Sequence, residues 1–129
     1  MRVLLDTHVW LWMWGEPARI RSEALTVIED PDTVITVSAV SAWEISTKEA
    51  AGRLRLPTSA EVWLTDARHR RDVVDLPITF EHAIRAGALP PHHRDPFDRM
   101  LVAQAQIERL VLISSDRQLA PYEVESLPA

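Results

Sequence analysis

The chain is organised around the stretch Arg94-Asp95-Pro96-Phe97-Asp98-Arg99-Met100-Leu101-Val102-Ala103-Gln104-Ala105, which predicts a helix with two acids at its start. Asp95 before proline is typical of a helix N-cap, because its side chain accepts from free N–H groups and proline has none to satisfy. Capping is a sufficient role for Asp95. Asp98 is then the third helical residue and shares a row with Val102 and Ala105. This otherwise apolar row must face the interior, so Asp98 needs a partner such as a metal ion.

Composition limits the kind of protein this chain can be. Its 129 residues suffice for one domain with a substantial core, and we expect a single domain over residues 1–129. The absence of cysteine excludes thiolate metal sites and favours oxygen ligands for Mg²⁺ or Mn²⁺. An early charge where a signal peptide would continue, and no long apolar stretch, predict a cytoplasmic protein without membrane attachment.

The net charge bears on nucleic-acid binding. A formal charge of −5 argues against a protein that holds nucleic acid mainly through a diffuse positive field. It does not exclude a nuclease, because acids clustered around a metal ion lower the net charge while the loaded site is neutral or positive.

Buried strands alternate with helices along the chain. Apolar or β-branched runs predict strands at residues 3–5, 33–37, 72–76 and 110–113, with a short edge strand at 122–127. Helical spacing and caps predict helices at residues 9–14, 18–30, 38–51, 58–71, 79–86 and 96–109. Strands separated by helices imply right-handed crossovers. The predicted fold class is therefore α/β, with a central parallel sheet of four to five strands and helices on both faces.

Four acids follow the predicted strands at the edge where α/β proteins place their sites. Asp6 and Asp116 come directly after strands, Glu44 lies in the first two turns of the helix after the second strand, and Asp98 begins its own helix. Repulsion among four converging carboxylates would raise their pKa values, whereas Mg²⁺ or Mn²⁺ would keep them ionised. The set therefore suits metal-assisted hydrolysis of phosphodiester bonds.

Each of these acids also has a local explanation. Asp6 is in place to cap the next helix, and Glu44 is in place to pair with Lys48 one turn later. Asp98 would stabilise the helix dipole, and Asp116 would start a turn. Their joint position at one edge of the sheet favours the metal site over four separate explanations.

Aromatic and basic residues carry weaker signals. Trp10, Trp12 and Trp14 fan round more than half of a helix, so one or two are expected in a core or protein interface, with base stacking as the alternative. Residues 92–94, His-His-Arg, are interpreted as a solvated loop, since adjacent histidines on an extended chain point to opposite sides; phosphate contact is the alternative. Thr58 with Glu61 matches a capping box, and the basic run at residues 68–71 is interpreted as a solvated helix end.

Four motifs together resemble those of the PIN-domain ribonucleases, specifically the VapC-type toxins of bacterial toxin–antitoxin pairs. They are Leu4-Leu5-Asp6-Thr7-His8, Ser38-Ala39-Val40-Ser41-Ala42-Trp43-Glu44-Ile45, the stretch from His93 to Ala105, and Ser114-Ser115-Asp116. They span nearly the whole chain in the order of that family. The resemblance implies a flap-endonuclease-like fold and Mg²⁺- or Mn²⁺-dependent endoribonuclease activity on structured RNA. It also implies a homodimer when free, and a small antitoxin that inhibits by occupying the active-site groove.

The resemblance also assigns roles to residues. Asp6, Glu44 and Asp98 match the three acids with which the family holds metal, Asp116 matches a fourth and more variable acid, and Ser114 matches a hydroxyl that orients an acid or water. A negatively charged protein can still bind RNA if the contacts with the substrate are local. The candidate residues for such contacts are Arg94, Arg99 and Arg117. The alternative function is a non-catalytic PIN-fold module that binds RNA or protein, against which the intact acid set argues. A phosphatase or receiver domain lacks support, because no second Asp follows Asp6 at the required spacing.

Overall fold

The computed structural model describes residues 1–69 and 73–129. Within them, five strands form one sheet: β1 Arg2–Leu5, β2 Val34–Ser38, β3 Val73–Leu76, β4 Val111–Ser114 and β5 Ser126–Pro128. The same ranges contain six α-helices: α1 Thr7–Gly15, α2 Ser22–Glu29, α3 Ala39–Ala50, α4 Ala60–His69, α5 Phe80–Ala88 and α6 Pro96–Glu108. Two 3-10 turns lie at Pro17–Arg19 and Arg117–Leu119. No helix in the described ranges has the length and apolar character needed to cross a membrane.

The strands lie in the order β3-β2-β1-β4-β5, and every neighbouring pair is parallel. The central strand is β1, where Leu4 lies opposite Thr36 on one side and Leu112 on the other. The chain moves outward through β2 and β3 and then crosses back to β4, so the topological switch point lies at β1. The predicted α/β fold with a central parallel sheet of four to five strands is confirmed, and the described residues form five strands.

A hydrophobic core covers each face of the sheet. Because side chains alternate along a strand, Val3 and Leu5 face one core, while Leu4 faces the other. The first core includes Trp10 of α1, which is 1% exposed, and the second is built on α6 through residues such as Leu101. The two cores place helices on both faces and bring the starts of α1, α3 and α6 to the carboxyl ends of the strands.

Three of the chain's tryptophans lie on α1, and they differ in burial as their spacing predicts. Trp10 is buried with its ring 5.7 Å from that of Trp63, whereas Trp12 and Trp14 are half-buried against the same core. The guanidinium of Arg19 lies 4.7 Å from the ring centre of Trp12. The prediction that one or two of these side chains fill a core is confirmed.

The predicted helix over residues 18–30 is wrong in its first part. Pro17–Arg19 forms a 3-10 turn, Ile20 is extended with φ −85° and ψ 133°, and α2 begins only at Ser22. Ile20 is 4% exposed and belongs to the first core. A residue in an extended conformation can bury its side chain just as a helical residue can. Apolar spacing alone therefore did not show that the helix begins only after Ile20.

The start of α4 also differs from the prediction. The Ser59 hydroxyl accepts from the Val62 N–H at 3.3 Å, so the cap is one residue later than the predicted Thr58. Val62 on this helix is 56% exposed, whereas Ala67 is buried. The predicted helix end and basic run at residues 70–71, and the predicted strand start at residue 72, lie outside the described residues.

Candidate metal centre

The four predicted acids lie at the carboxyl edge of the central strands, and three of them act on one another electrostatically. Asp6 follows β1 and is 3% exposed, and Glu44 in the second turn of α3 is 2% exposed. Burial is the main cause that raises the pKa of Asp98 to about 7, followed by the charges of Asp6, Asp95 and Glu44. The structure therefore places Asp6, Glu44 and Asp98 in one group, with Asp116 beyond the end of β4.

Asp6 is held through one of its two carboxylate oxygens. The Ser114 hydroxyl donates to Asp6 Oδ2 at 2.6 Å and accepts from the Asp116 N–H at 3.0 Å. Asp6 occupies the N-cap position of α1, yet its side chain makes no capping bond, so the local explanation for this acid is wrong. Burial raises the pKa of Asp6, and the bond from Ser114 opposes that shift. Asp6 Oδ1 is buried with no hydrogen-bond partner among the described residues.

Glu44 is held in the same way by a different donor. Lys48 Nζ donates to Glu44 Oε2 at 2.5 Å, so the predicted local pair exists. It accounts for only one oxygen, because Glu44 Oε1 is buried and lacks a hydrogen-bond partner within the described part of the chain. A buried bond of 2.9 Å from the Thr7 hydroxyl to the Ser41 hydroxyl joins α1 to α3 beside these two acids.

These two unpaired oxygens test whether the site fits a divalent ion. A buried carboxylate oxygen without a donor is costly, and native proteins rarely leave one unexplained. Among the described residues, neither Asp6 Oδ1 nor Glu44 Oε1 has a hydrogen-bond partner, while the second oxygen of each acid is anchored. Oxygen ligands of this kind suit a hard cation such as Mg²⁺, so the residues present fit the ion.

His93 lies in the site, so its interpretation as part of a solvated loop is wrong. Its Nε2 atom is 2.8 Å from Asp116 Oδ2 and 3.2 Å from Asp98 Oδ2, and its side chain is 10% exposed. The loop is held because the His93 N–H donates to the Tyr122 hydroxyl at 2.9 Å, and that hydroxyl donates to the Pro90 carbonyl at 2.8 Å. Tyr122 is 29 residues away, so no local signal in the sequence marks this contact.

Asp116 has both a local role at the start of a turn and a place in the candidate metal site. Its Oδ1 atom accepts from the Gln118 N–H at 2.9 Å and caps the 3-10 turn, which is the predicted local role. Its Oδ2 atom faces His93, and the side chain is 30% exposed. Asp116 therefore lies at the open margin of the site.

The guanidinium of Arg99 is occupied by hydrogen bonds to backbone carbonyls. The expectation that Arg99 contacts RNA is therefore wrong. Its guanidinium donates to the carbonyls of Ala86, Leu89 and Pro90 at 2.9, 3.0 and 3.1 Å. These carbonyls lie at and beyond the end of α5, where helices leave acceptors unpaired. Arg99 thus fastens α5 to the start of α6 and helps to fix the loop that leads to Asp98.

An aromatic pair lies beside two of the acids in the sequence. Trp43 precedes Glu44 and Phe97 precedes Asp98, and their rings meet edge to face with centres 5.0 Å apart. Trp43 is 61% exposed. Such a large exposed aromatic surface is available to an outside partner.

Asp95 has the capping role that the sequence predicts. Its Oδ1 atom accepts from the Phe97 N–H at 2.8 Å, and proline follows it at the first helical position. Its own N–H donates to His93 Nδ1 at 3.0 Å. Asp95 therefore starts the helix that carries Asp98.

The variants Asp95→Ser and Asp95→Ala test this role. Both remove the charge of Asp95, but only serine keeps an acceptor for the Phe97 N–H. We expect the alanine variant to be less stable than the serine variant by about 1 kcal/mol, the usual value of an N-cap. Urea unfolding of the two purified variants measures the difference. Equal stabilities would contradict the capping role.

The sheet and the grouped acids define the class to which this protein belongs. The family model for the PIN domain matches residues 3–124, and the chain belongs to the PIN domain family. It is 36% identical over 119 residues to Ribonuclease VapC22 of Mycobacterium tuberculosis, covering 91% of this chain and 88% of that protein. The resemblance read from the four motifs is confirmed.

Solved structures of low sequence identity share the fold. VapBC2 from Rickettsia felis, bound to a DNA fragment from its promoter, matches with a TM-score of 0.73 and 11% identity, covering 99% of this chain and 98% of that chain. A toxin–antitoxin complex from Klebsiella pneumoniae matches with a TM-score of 0.63 and 18% identity, covering 94% and 92%. At these identities the likeness shows the fold alone.

Proposed function

We propose that this chain is a Mg²⁺-dependent endoribonuclease, with Mn²⁺ able to substitute, and that it is the toxin of a toxin–antitoxin pair. The observation that carries the proposal is that two buried oxygens, Asp6 Oδ1 and Glu44 Oε1, have no hydrogen-bond partner in the part of the chain that the structure describes. The name of the relative Ribonuclease VapC22 supports the same reaction class. We place the whole function in one domain, residues 1–129, of a cytoplasmic protein.

The ion would be held by oxygen ligands from three acids, Asp6, Glu44 and Asp98, with Asp116 completing the site at its open margin. When bound, such an ion lowers the pKa of water and offsets negative charge on a phosphodiester. Ser114 and Lys48 each hold one oxygen of an acid and leave the other oxygen in place for the ion. The carboxylates are thereby oriented before any ion arrives, which lowers the entropic cost of binding it.

Ser114→Ala tests this orienting role, with Ser115→Ala as the matched control. Ser114 donates to Asp6, whereas the neighbouring Ser115 is exposed. Loss of a residue that orients a metal ligand commonly weakens metal binding 10- to 100-fold. We expect Ser114→Ala to weaken Mn²⁺ binding by about tenfold or more in calorimetry, and Ser115→Ala to leave it unchanged. Equal affinities for the two variants would contradict the orienting role of Ser114.

RNA is supported as the substrate by groups beside the acids. Trp43 exposes an aromatic face on which a base can stack, and such stacking is worth about 1–3 kcal/mol per base. Arg94 and Arg117 flank the site in sequence and are exposed, so they remain candidates for phosphate contact.

The nuclease proposal is tested with purified protein freed of any partner. Total cellular RNA is incubated with the protein in the presence of Mg²⁺, Mn²⁺ or a chelator. Cleavage that requires the divalent ion supports the proposal, and intact RNA under all conditions contradicts it. RNA binding without cleavage, and without Mn²⁺ affinity, would instead identify the non-catalytic binding module.

A protein partner is supported by exposed apolar side chains on one helix. Phe80 and Ile84, one turn apart on α5, are 85% and 62% exposed. Large apolar side chains grouped on a surface mark protein contacts. We propose that the free protein is a homodimer and that a small antitoxin binds and inhibits it. Light scattering tests the dimer, and co-purification with the product of an adjacent short reading frame, together with loss of cleavage, tests the antitoxin.

A further inference from the structure

His93 forms with two acids a cluster that has the spacing of a metal site. Its Nε2 atom and carboxylate oxygens of Asp98 and Asp116 lie within 4.8 Å of one another. We propose that His93 positions Asp116 through a hydrogen bond and Asp98 through close electrostatic contact, and that it is not a ligand of the metal ion. The inference rests on the proposed function of this site as a metal centre, and it assigns an all-oxygen ligand set.

The backbone at the start of α6 determines which nitrogen of His93 carries the proton. The Asp95 N–H points at His93 Nδ1 with a distance of 3.0 Å. A backbone N–H can only donate, so Nδ1 is the acceptor and carries no proton. The ring proton is therefore on Nε2. A nitrogen that carries a proton has no free electron pair with which to bind a metal.

The Nε2 atom of His93 lies close to both carboxylates. It makes a hydrogen bond to Asp116 Oδ2 at 2.8 Å, and it also lies 3.2 Å from Asp98 Oδ2. This contact links the acid that follows β4 to the acid that begins α6. His93 thus fixes the position of Asp116, just as Ser114 fixes one oxygen of Asp6 and Lys48 fixes one oxygen of Glu44.

The ring has little freedom to exchange its two nitrogens. The backbone N–H of His93 donates to the Tyr122 hydroxyl. The backbone N–H of Asp95 is fixed in place because the Asp95 side chain caps α6. Turning the imidazole over would remove the acceptor from the Asp95 N–H and the donor from the Asp116 carboxylate. Binding metal through Nε2 would require the same loss.

The tautomer decides which class of cation the site prefers. Without an imidazole ligand, Asp6, Glu44, Asp98 and Asp116 offer only oxygen, which suits Mg²⁺ and Mn²⁺. With an imidazole ligand, the site would be expected to favour Zn²⁺. The inference therefore predicts that Mn²⁺ binds without contact to a nitrogen.

The first test is spectroscopic and uses the full wild-type chain. ¹⁵N NMR of the histidine side chains, with His93 assigned by its absence in His93→Gln, reports the tautomer in the metal-free protein and with Mg²⁺. Electron spin-echo spectroscopy of the Mn²⁺-loaded protein reports any coordinated imidazole nitrogen. We expect the proton on Nε2 in both states and no coordinated nitrogen. A protonated Nδ1, or an imidazole coupling that disappears in His93→Gln, would overturn the inference.

The second test compares His93→Gln with His93→Ala, using His92→Ala at the exposed neighbour as the control. Glutamine keeps an N–H donor and alanine does not. We expect Mn²⁺ affinity to fall by about tenfold or more in His93→Ala, and to be largely retained in His93→Gln and His92→Ala. Wild-type affinity in a folded His93→Ala would overturn the positioning role. If wild-type protein binds no Mn²⁺, the proposed function fails, and the tautomer in the metal-free protein still decides the state of His93.

Discussion

Asp98→Asn is expected to lose metal-dependent RNA cleavage while gaining stability as a metal-free protein at pH 8. The amide has the shape of the carboxyl group but lacks the charge that would hold the ion. Because metal catalysis contributes several kcal/mol and each 1.4 kcal/mol is a factor of ten, we expect cleavage to slow by about 10²- to 10³-fold. Initial rates on labelled RNA measure the loss. Asp32→Asn, an exposed acid at the opposite edge of the sheet before β2, is the control and should cut like the parent.

The gain in stability follows from the pKa of Asp98. Burial, and then the charges of Asp6, Asp95 and Glu44, raise this pKa from an ordinary 3.8 to about 7 in the folded protein. The unfolded chain therefore loses the proton at a lower pH than the folded protein does. The stability that the protonated group contributes is complete at low pH, declines as the pH rises from about 4 to 7, and is lost above that.

Asparagine stays neutral over this whole range, so it avoids that loss. Thermal unfolding with a chelator should therefore show Asp98→Asn above the parent at pH 8, with the difference shrinking toward pH 4. A variant that is less stable than the parent at pH 8 would contradict the proposal that repelling, buried charge collects at this site.

Metal affinity of the wild-type protein is expected to fall by about tenfold for each pH unit below 7. Asp98 must lose its proton before it can serve as a ligand, and its pKa of about 7 sets the pH at which competition begins. Burial also raises the pKa of Asp6, which would make the dependence steeper. Calorimetric titration with Mn²⁺ between pH 5.5 and 8.5, in buffers of different ionisation enthalpy, measures the affinity and the protons released.

The control for this measurement is Asp98→Asn, in which any Mn²⁺ binding that remains should lack the proton release that belongs to Asp98. An affinity that is the same at pH 6 and pH 8 would show that Asp98 is already ionised without metal. It would also contradict the placement of Asp98 among the other buried acids.

The sheet could be predicted because its strands are short, continuous apolar runs between helical segments. The carboxyl edge followed from topology, since parallel strands end together, and Asp98 could be aimed inward because it continues the row of Val102 and Ala105. Local choices were harder. Ser59 and Thr58 are both good caps, and Ile20 is buried in an extended conformation that its spacing does not reveal.

The site could be predicted in part, and the limit has a physical reason. Acids at strand ends follow from local sequence, whereas the places of His93 and Arg99 depend on Tyr122 and on the end of α5. The local pair and the metal role of Glu44 were treated as alternatives, but they are compatible. Lys48 binds one carboxylate oxygen of Glu44 and leaves the other oxygen free for an ion. Which oxygen stays unpaired is decided by tertiary packing.

Crystals soaked with Mn²⁺ and measured at the manganese absorption edge test the central claim most directly. We expect an anomalous peak about 2.1–2.2 Å from Asp6 Oδ1 and Glu44 Oε1, slightly longer than Mg²⁺–oxygen bonds, with Asp98 completing the group and His93 Nε2 outside bonding distance. The absence of any peak between these acids, or a peak bonded to His93 Nε2 instead of the two unpaired oxygens, would contradict it.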